Sequence, residues 1–158
     1  MRQNPGIQMT IEVEVQRETS NSSVPSDQQF EQWATAALQG HAESELVIRV
    51  VDQEESRRLN EQFARKNKAT NVLSFPAGLP PSIDLALLGD IVICAPLVES
   101  EAKEQNKPAP AHWAHLTIHG VLHLLGYDHQ SDEDAAKMER LEADLLQPFG
   151  FPDPYRPE

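Results

Sequence analysis

Strand-like and helix-like segments are mixed along this 158-residue chain, and the mixture predicts an α+β fold, a small mixed sheet packed with helices. Three observations carry that expectation. IQMTIEVEV alternates Ile7, Met9, Ile11, Val13 and Val15 with polar residues, the period of a half-buried strand. ELVIRVVD, TNVLSF and ALLGDIVICA are further apolar runs that read as strands. The second half of the chain is dominated by helical segments. The length suits one domain, 1–158, with the proline-rich stretch 148–158 as an extended tail.

Each element has its own local signal. After the first strand, NSSVPS is a loop, and Ser26 with Gln29 forms a capping box. Phe30, Trp33, Ala34, Ala37 and Leu38 then repeat at the spacing of a packed helix. ELVIRVVD reads as a strand buried on both faces. A polar helix is expected from Gln53 to Lys66, and after it the strand TNVLSF. Pro76, Gly78, Pro80 and Pro81 break the next stretch into a loop, before ALLGDIVICA. The loop FPAGLPPSID is either one wall of a substrate cleft or a plain connector. Helices are expected from Leu97 to Asn106, from near Pro110, and from Ser131, the last with Asp134 three residues on and Met138, Leu141 and Leu145 facing inward.

Composition narrows the function. A net charge of -12 argues against a protein that coats nucleic acid indiscriminately, and no DNA partner is expected. Positive charge is concentrated in RRLNEQFARKNK, where Arg57, Arg58, Arg65, Lys66 and Lys68 face one acid, Glu61. That stretch is either a solvated helix face or a local basic groove. The lone cysteine, Cys94, has no partner thiol and reads as a buried strand residue. Neither a membrane span nor a signal peptide is evident, so a cytoplasmic protein is expected.

The chemistry lies in AHWAHLTIHGVLHLLGYDH. At 100° per residue, His112, His115, His119 and His123 fall within an arc of about 80°, opposite a broad apolar face. His119 and His123, four residues apart, stack one above the other, close enough to grip one ion. Gly126 can end the helix in the left-handed conformation and turn His129 back toward them. Three imidazoles around a tetrahedral ion leave a place for water, the pattern of catalytic zinc, although nickel, copper and cobalt also take nitrogen ligands. His115, one turn back, either orients a ligand or packs the helix. His112 is expected at the surface, and His41 in a polar loop. Asp128 either orients a ligand histidine or stabilises the turn.

The spacing H-x3-H-x2-G-x2-H is also that of zinc peptidases, which place a glutamate directly after the first histidine. Here that position is Gly120. Without the glutamate nothing adjacent relays a proton to a leaving amine, so amide hydrolysis is disfavoured. A phosphodiester asks instead for a cation on the phosphoryl oxygens and for positive side chains, and the chain has both. The residues alone therefore point to metal-dependent phosphodiester cleavage; the resemblance described below narrows this to RNA, with water on the ion or the ribose 2′-OH as nucleophile. Arg58, Arg65 and Lys66 are the candidate phosphate contacts. The alternatives are a zincin-like peptidase or small-molecule hydrolase, and a non-catalytic factor with a structural metal.

HGVLHLLGYDH, preceded by LNEQF, KNKATNVLSFP and LLGDIVI, resembles the YbeY family of bacterial endoribonucleases from about Glu45 to Tyr155. The resemblance implies a zincin-like fold with the metal at the C-terminal end of a central helix, and His119, His123 and His129 as zinc ligands. It implies a zinc-dependent, single-strand-specific endoribonuclease acting in 3′ end maturation of small-subunit (16S) ribosomal RNA and in ribosome quality control. Its partners would be ribosomal RNA and the small ribosomal subunit. One position departs from the pattern. Where the family usually reads F-R-x-K-D-x-P-T, this chain has Phe63-Ala64-Arg65-Lys66-Asn67-Lys68-Ala69-Thr70. Ala64 stands where the family has an arginine implicated in catalysis; Lys66 matches, and Arg65 is the neighbouring candidate.

Overall fold

The computed structural model describes residues 11–21, 23–38, 44–77 and 87–155. Among the described residues, four strands and five α-helices follow one another as β1 (Ile11–Glu18), α1 (Asp27–Ala37), β2 (Ser44–Val51), α2 (Gln53–Ala64), β3 (Val72–Pro76), β4 (Leu87–Cys94), α3 (Ala95–Glu104), α4 (Ala109–Leu124) and α5 (Asp132–Leu146). The sheet order is β1-β2-β4-β3; β1, β2 and β4 are parallel, and the edge strand β3 runs antiparallel to β4. This is the mixed α+β arrangement expected from the sequence. Of the first strand-like run, Ile7 and Met9 lie outside the described residues, as does His41.

Local chemistry explains the element ends. The Ser26 hydroxyl accepts from the Gln29 amide and the Gln29 side chain accepts from the Ser26 amide, satisfying two donors that a helix start leaves open. Ser131 caps α5 through Asp134 N–H in the same way. Cys94 is buried at the end of β4, and desolvation pushes its thiol up, so it is inert.

Three expectations need correction. β2 is not buried on both faces: Leu46, Ile48 and Val50 enter the core, while Glu45 is exposed and Val47 and Arg49 are half-buried. On the far face Arg49 reaches Glu55 of the polar helix α2, which packs on β4 and buries only Ser56 and Asn60. That helix stops at Ala64, not Lys66, because Arg65 adopts the left-handed conformation (φ 60°). The tail opens with a short 3-10 helix, Gln147–Phe149, before becoming irregular.

The core lies between the sheet and the layer formed by α1 and α4. Phe30 meets Trp33 and Trp113 edge-on, each pair with centroids 5.9 Å apart, against Ile48, Val50, Ile91 and Ile93. α4 sits unusually near β4. A Cβ on Gly120 would lie 2.8 Å from Cγ2 of Ile91, so only glycine allows that approach. The packing holds α4 as a fixed platform, from which its last turn projects beside β3.

Candidate metal centre

His119 and His123 leave α4 on successive turns, with ring centroids 4.6 Å apart. The helix then ends: the amides of Gly126 and Tyr127 reach back to the carbonyls of His123 and Leu122, both at 3.0 Å. Gly126 has φ +107°, a conformation that side-chain-bearing residues rarely adopt, and it reverses the chain. His129 returns to within 5.2 Å of the His119 ring and 5.3 Å of the His123 ring. Potential ligand atoms of the three all lie within 4.8 Å of one another. Asp128 accepts the Gln130 amide at 3.3 Å, which is a turn contact.

His119 and His123 open on a cleft of about 250 Å3 whose opposite wall is Val72, Leu73, Ser74 and Pro76 of β3. Ser74 donates to the Gly120 carbonyl at 3.2 Å and so ties the edge strand to α4. The sequence offered FPAGLPPSID as a cleft wall or a plain connector; Pro76 does line the cleft, and residues 78–84 of that loop lie outside the described residues.

A residue that sequence reasoning missed stands behind the three converging histidines. Glu142 of α5 is fully buried, accepting from His119 Nδ1 at 2.6 Å, from His115 Nε2 at 2.9 Å and from the Tyr155 hydroxyl. Burial pushes its carboxyl up, but the hydrogen bonds from His115 and His119 outweigh that and hold it at about 2. The signal was available: residue 142 is four positions after Met138, on the inward stripe of α5. His115 therefore touches the carboxylate that touches His119. His123 is held below its ordinary value, first by burial and then by His119 and His129, which favours the neutral ring that binds metals. His115, His119, His123, His129 and Glu142 make a cluster that could hold a metal ion.

His112 contradicts its surface assignment. It is 4% exposed, with Nε2 2.8 Å from Glu101 Oε1, an oxygen that also accepts from Asn71 at 3.0 Å. The helical wheel placed it on the imidazole arc correctly, but α3 covers that end of the arc.

The basic stretch is also changed by folding. Arg57 pairs with Glu54 and Glu61 and donates to Asn67, and Arg58 pairs with Glu55. Arg65, Lys66 and Lys68 lie beyond the helix, all exposed and without an ion pair among the described residues. Ala64 is the last residue of α2, and Arg65, the neighbouring candidate, lies outside the helix with φ 60°.

Residues 13–150 match the family model described as Endoribonuclease YbeY. This chain belongs to that family. As a YbeY-family member it has RNA as its implied substrate class. The fold is also that of TM1509 from Thermotoga maritima, whose solution structure matches with a TM-score of 0.57 over 92% of this chain and 99% of that one; the sequences are 24% identical, a likeness of fold alone. No helix among the described residues is long and apolar enough to cross a membrane.

Proposed function

We propose that this YbeY-family chain is, as one domain, a zinc-dependent, single-strand-specific endoribonuclease that matures the 3′ end of small-subunit ribosomal RNA in the cytoplasm and takes part in ribosome quality control. The observation that carries the metal-dependent reading is the convergence of His119, His123 and His129 beside an edge-strand cleft. The donor set fits zinc: three imidazoles, one backed by a buried carboxylate. When bound, zinc supplies Lewis acidity, lowering the pKa of water toward about 7 and drawing charge from phosphoryl oxygens.

The chain's own residues do the rest. The scissile segment would lie in the cleft between β3 and α4. Arg65 and Lys66 are the phosphate contacts; Arg58, engaged by Glu55, adds less. Ala64 cannot perform an arginine's role, so neutralisation of the departing charge falls to those flanking cations. The peptidase alternative loses support at Gly120, since a side chain there runs into Ile91.

The test is to reconstitute the protein with zinc and offer single-stranded and duplex RNA of one sequence, with and without chelator. Chelator-sensitive cutting of the single strand, absent in His119→Ala, is expected. Cutting that survives both treatments would defeat the reading. End-group analysis of the products distinguishes water from the 2′-OH as nucleophile.

A further inference from the structure

Two overlapping trios compete for an ion, and they share His119: His119 with His123 and His129, and His119 with His115 and Glu142. Their surroundings differ. The first opens on the β3 cleft, whereas the Glu142 carboxylate is fully buried and both its oxygens are engaged. Oε2 takes the His119 Nδ1 proton at 2.6 Å, and Oε1 takes those of His115 and Tyr155. An ion there would have to displace three hydrogen bonds to a buried anion. The two nitrogens of an imidazole point to different sides, and the bond made by one decides what the other presents. A His119 ring that donates through Nδ1 to Glu142 presents a bare Nε2 toward His123 and His129.

We propose that Glu142, steadied by Tyr155, is the positioning residue of the metal centre, fixing His119 in the tautomer and orientation that offer Nε2 to an ion shared with His123 and His129. The inference rests on the ligand assignment proposed above. It also gives the C-terminal segment a role: Tyr155 lies beyond residues 13–150 of the family match, yet its hydroxyl reaches the carboxylate behind the ligand. His115 completes the cage, with its ring edge-on to Tyr155 at 5.3 Å.

The experiment is chelator competition on the full chain with zinc and with cobalt, beside the melting temperature of the metal-free protein. Glu142→Gln should weaken affinity by about 10- to 100-fold while still binding one ion at saturation, and alter the visible spectrum of the cobalt form. Tyr155→Phe should move the same readouts less, leaving the metal-free melting temperature near the parent's. His115→Ala should still take one ion, and His129→Ala should not. Parent-like affinity and spectrum in both Glu142→Gln and Tyr155→Phe would reduce Glu142 to a buttress and overturn the inference. So would loss of the ion in His115→Ala with retention in His129→Ala, which would move the ion to the other trio. If the parent takes up no stoichiometric ion, the ligand assignment itself fails, a result distinct from parent-like variants.

Discussion

The two ends of α4 carry the same residue type on the same helical arc and put it to opposite uses. At the N-terminal end His112 is sealed under α3 against Glu101, and burial holds its ring below the ordinary value, an effect only partly offset by that carboxylate. At the C-terminal end His119 and His123 face a cleft beside β3. Helical phase is therefore not what separates a packing histidine from a candidate ligand. What lies opposite decides: a neighbouring helix at one end, a strand edge and a returning turn at the other.

Substitutions that treat the two ends differently test this contrast. The largest effect is expected from His123→Ala, which should abolish stoichiometric metal binding and RNA cleavage, read by elemental analysis and a gel assay. His112→Ala should keep the ion but lose about 1–3 kcal/mol of stability in urea, because it empties a buried site and strips Glu101 of its imidazole partner. Equal metal loss in both would erase the distinction.

Between the ends, Gly120→Ala sets two magnitudes against each other. Overpacking against buried Ile91 costs about 1–3 kcal/mol, while alanine's better helix propensity returns about 1. A net loss of about 1 kcal/mol is expected in the same urea titration, and a stabilised variant would show that α4 can lift from β4 freely.

Acid sharpens the comparison further. The folded His112 ring resists protonation, so the unfolded chain binds that proton first. Its contribution is present above the unfolded value of about 6.5 and is lost as pH falls through the lower folded value. His112→Gln should flatten the decline of stability below about pH 6.5; an unchanged slope would mean that Glu101 fully compensates the burial. The smallest effect belongs off the helix. Arg65→Ala and Lys66→Ala should each lower the salt slope of RNA binding by about 0.7 with little change in sequence preference, and Arg58→Ala by less.

What was legible in the sequence was local. The capping box at Ser26, the stripe of α1 and the histidine spacing around Gly126 are each set within about three helical turns of sequence, so periodicity and turn chemistry reveal them. What escaped depends on contacts across the chain. Glu142 meets His119 from 23 residues away, and Tyr155 meets His115 from 40. The pairing within 57–68 was hidden for a related reason: Glu54 and Glu55 lie just before the stretch, and folding brings them onto Arg57 and Arg58. The end of α2 was misread because nothing in the residue type of Arg65 announces a positive φ.

The contact between Gly120 and Ile91 also bears on how this scaffold can change its trade. Restoring a proton-relaying glutamate beside the first ligand would wedge the helix away from the sheet that aims the imidazoles, unless the isoleucine shrank in the same step. A single codon change would thus damage the old activity before granting the new one. The contact with Ile91 therefore sets a steric cost on any side chain at the position where a peptidase carries its glutamate.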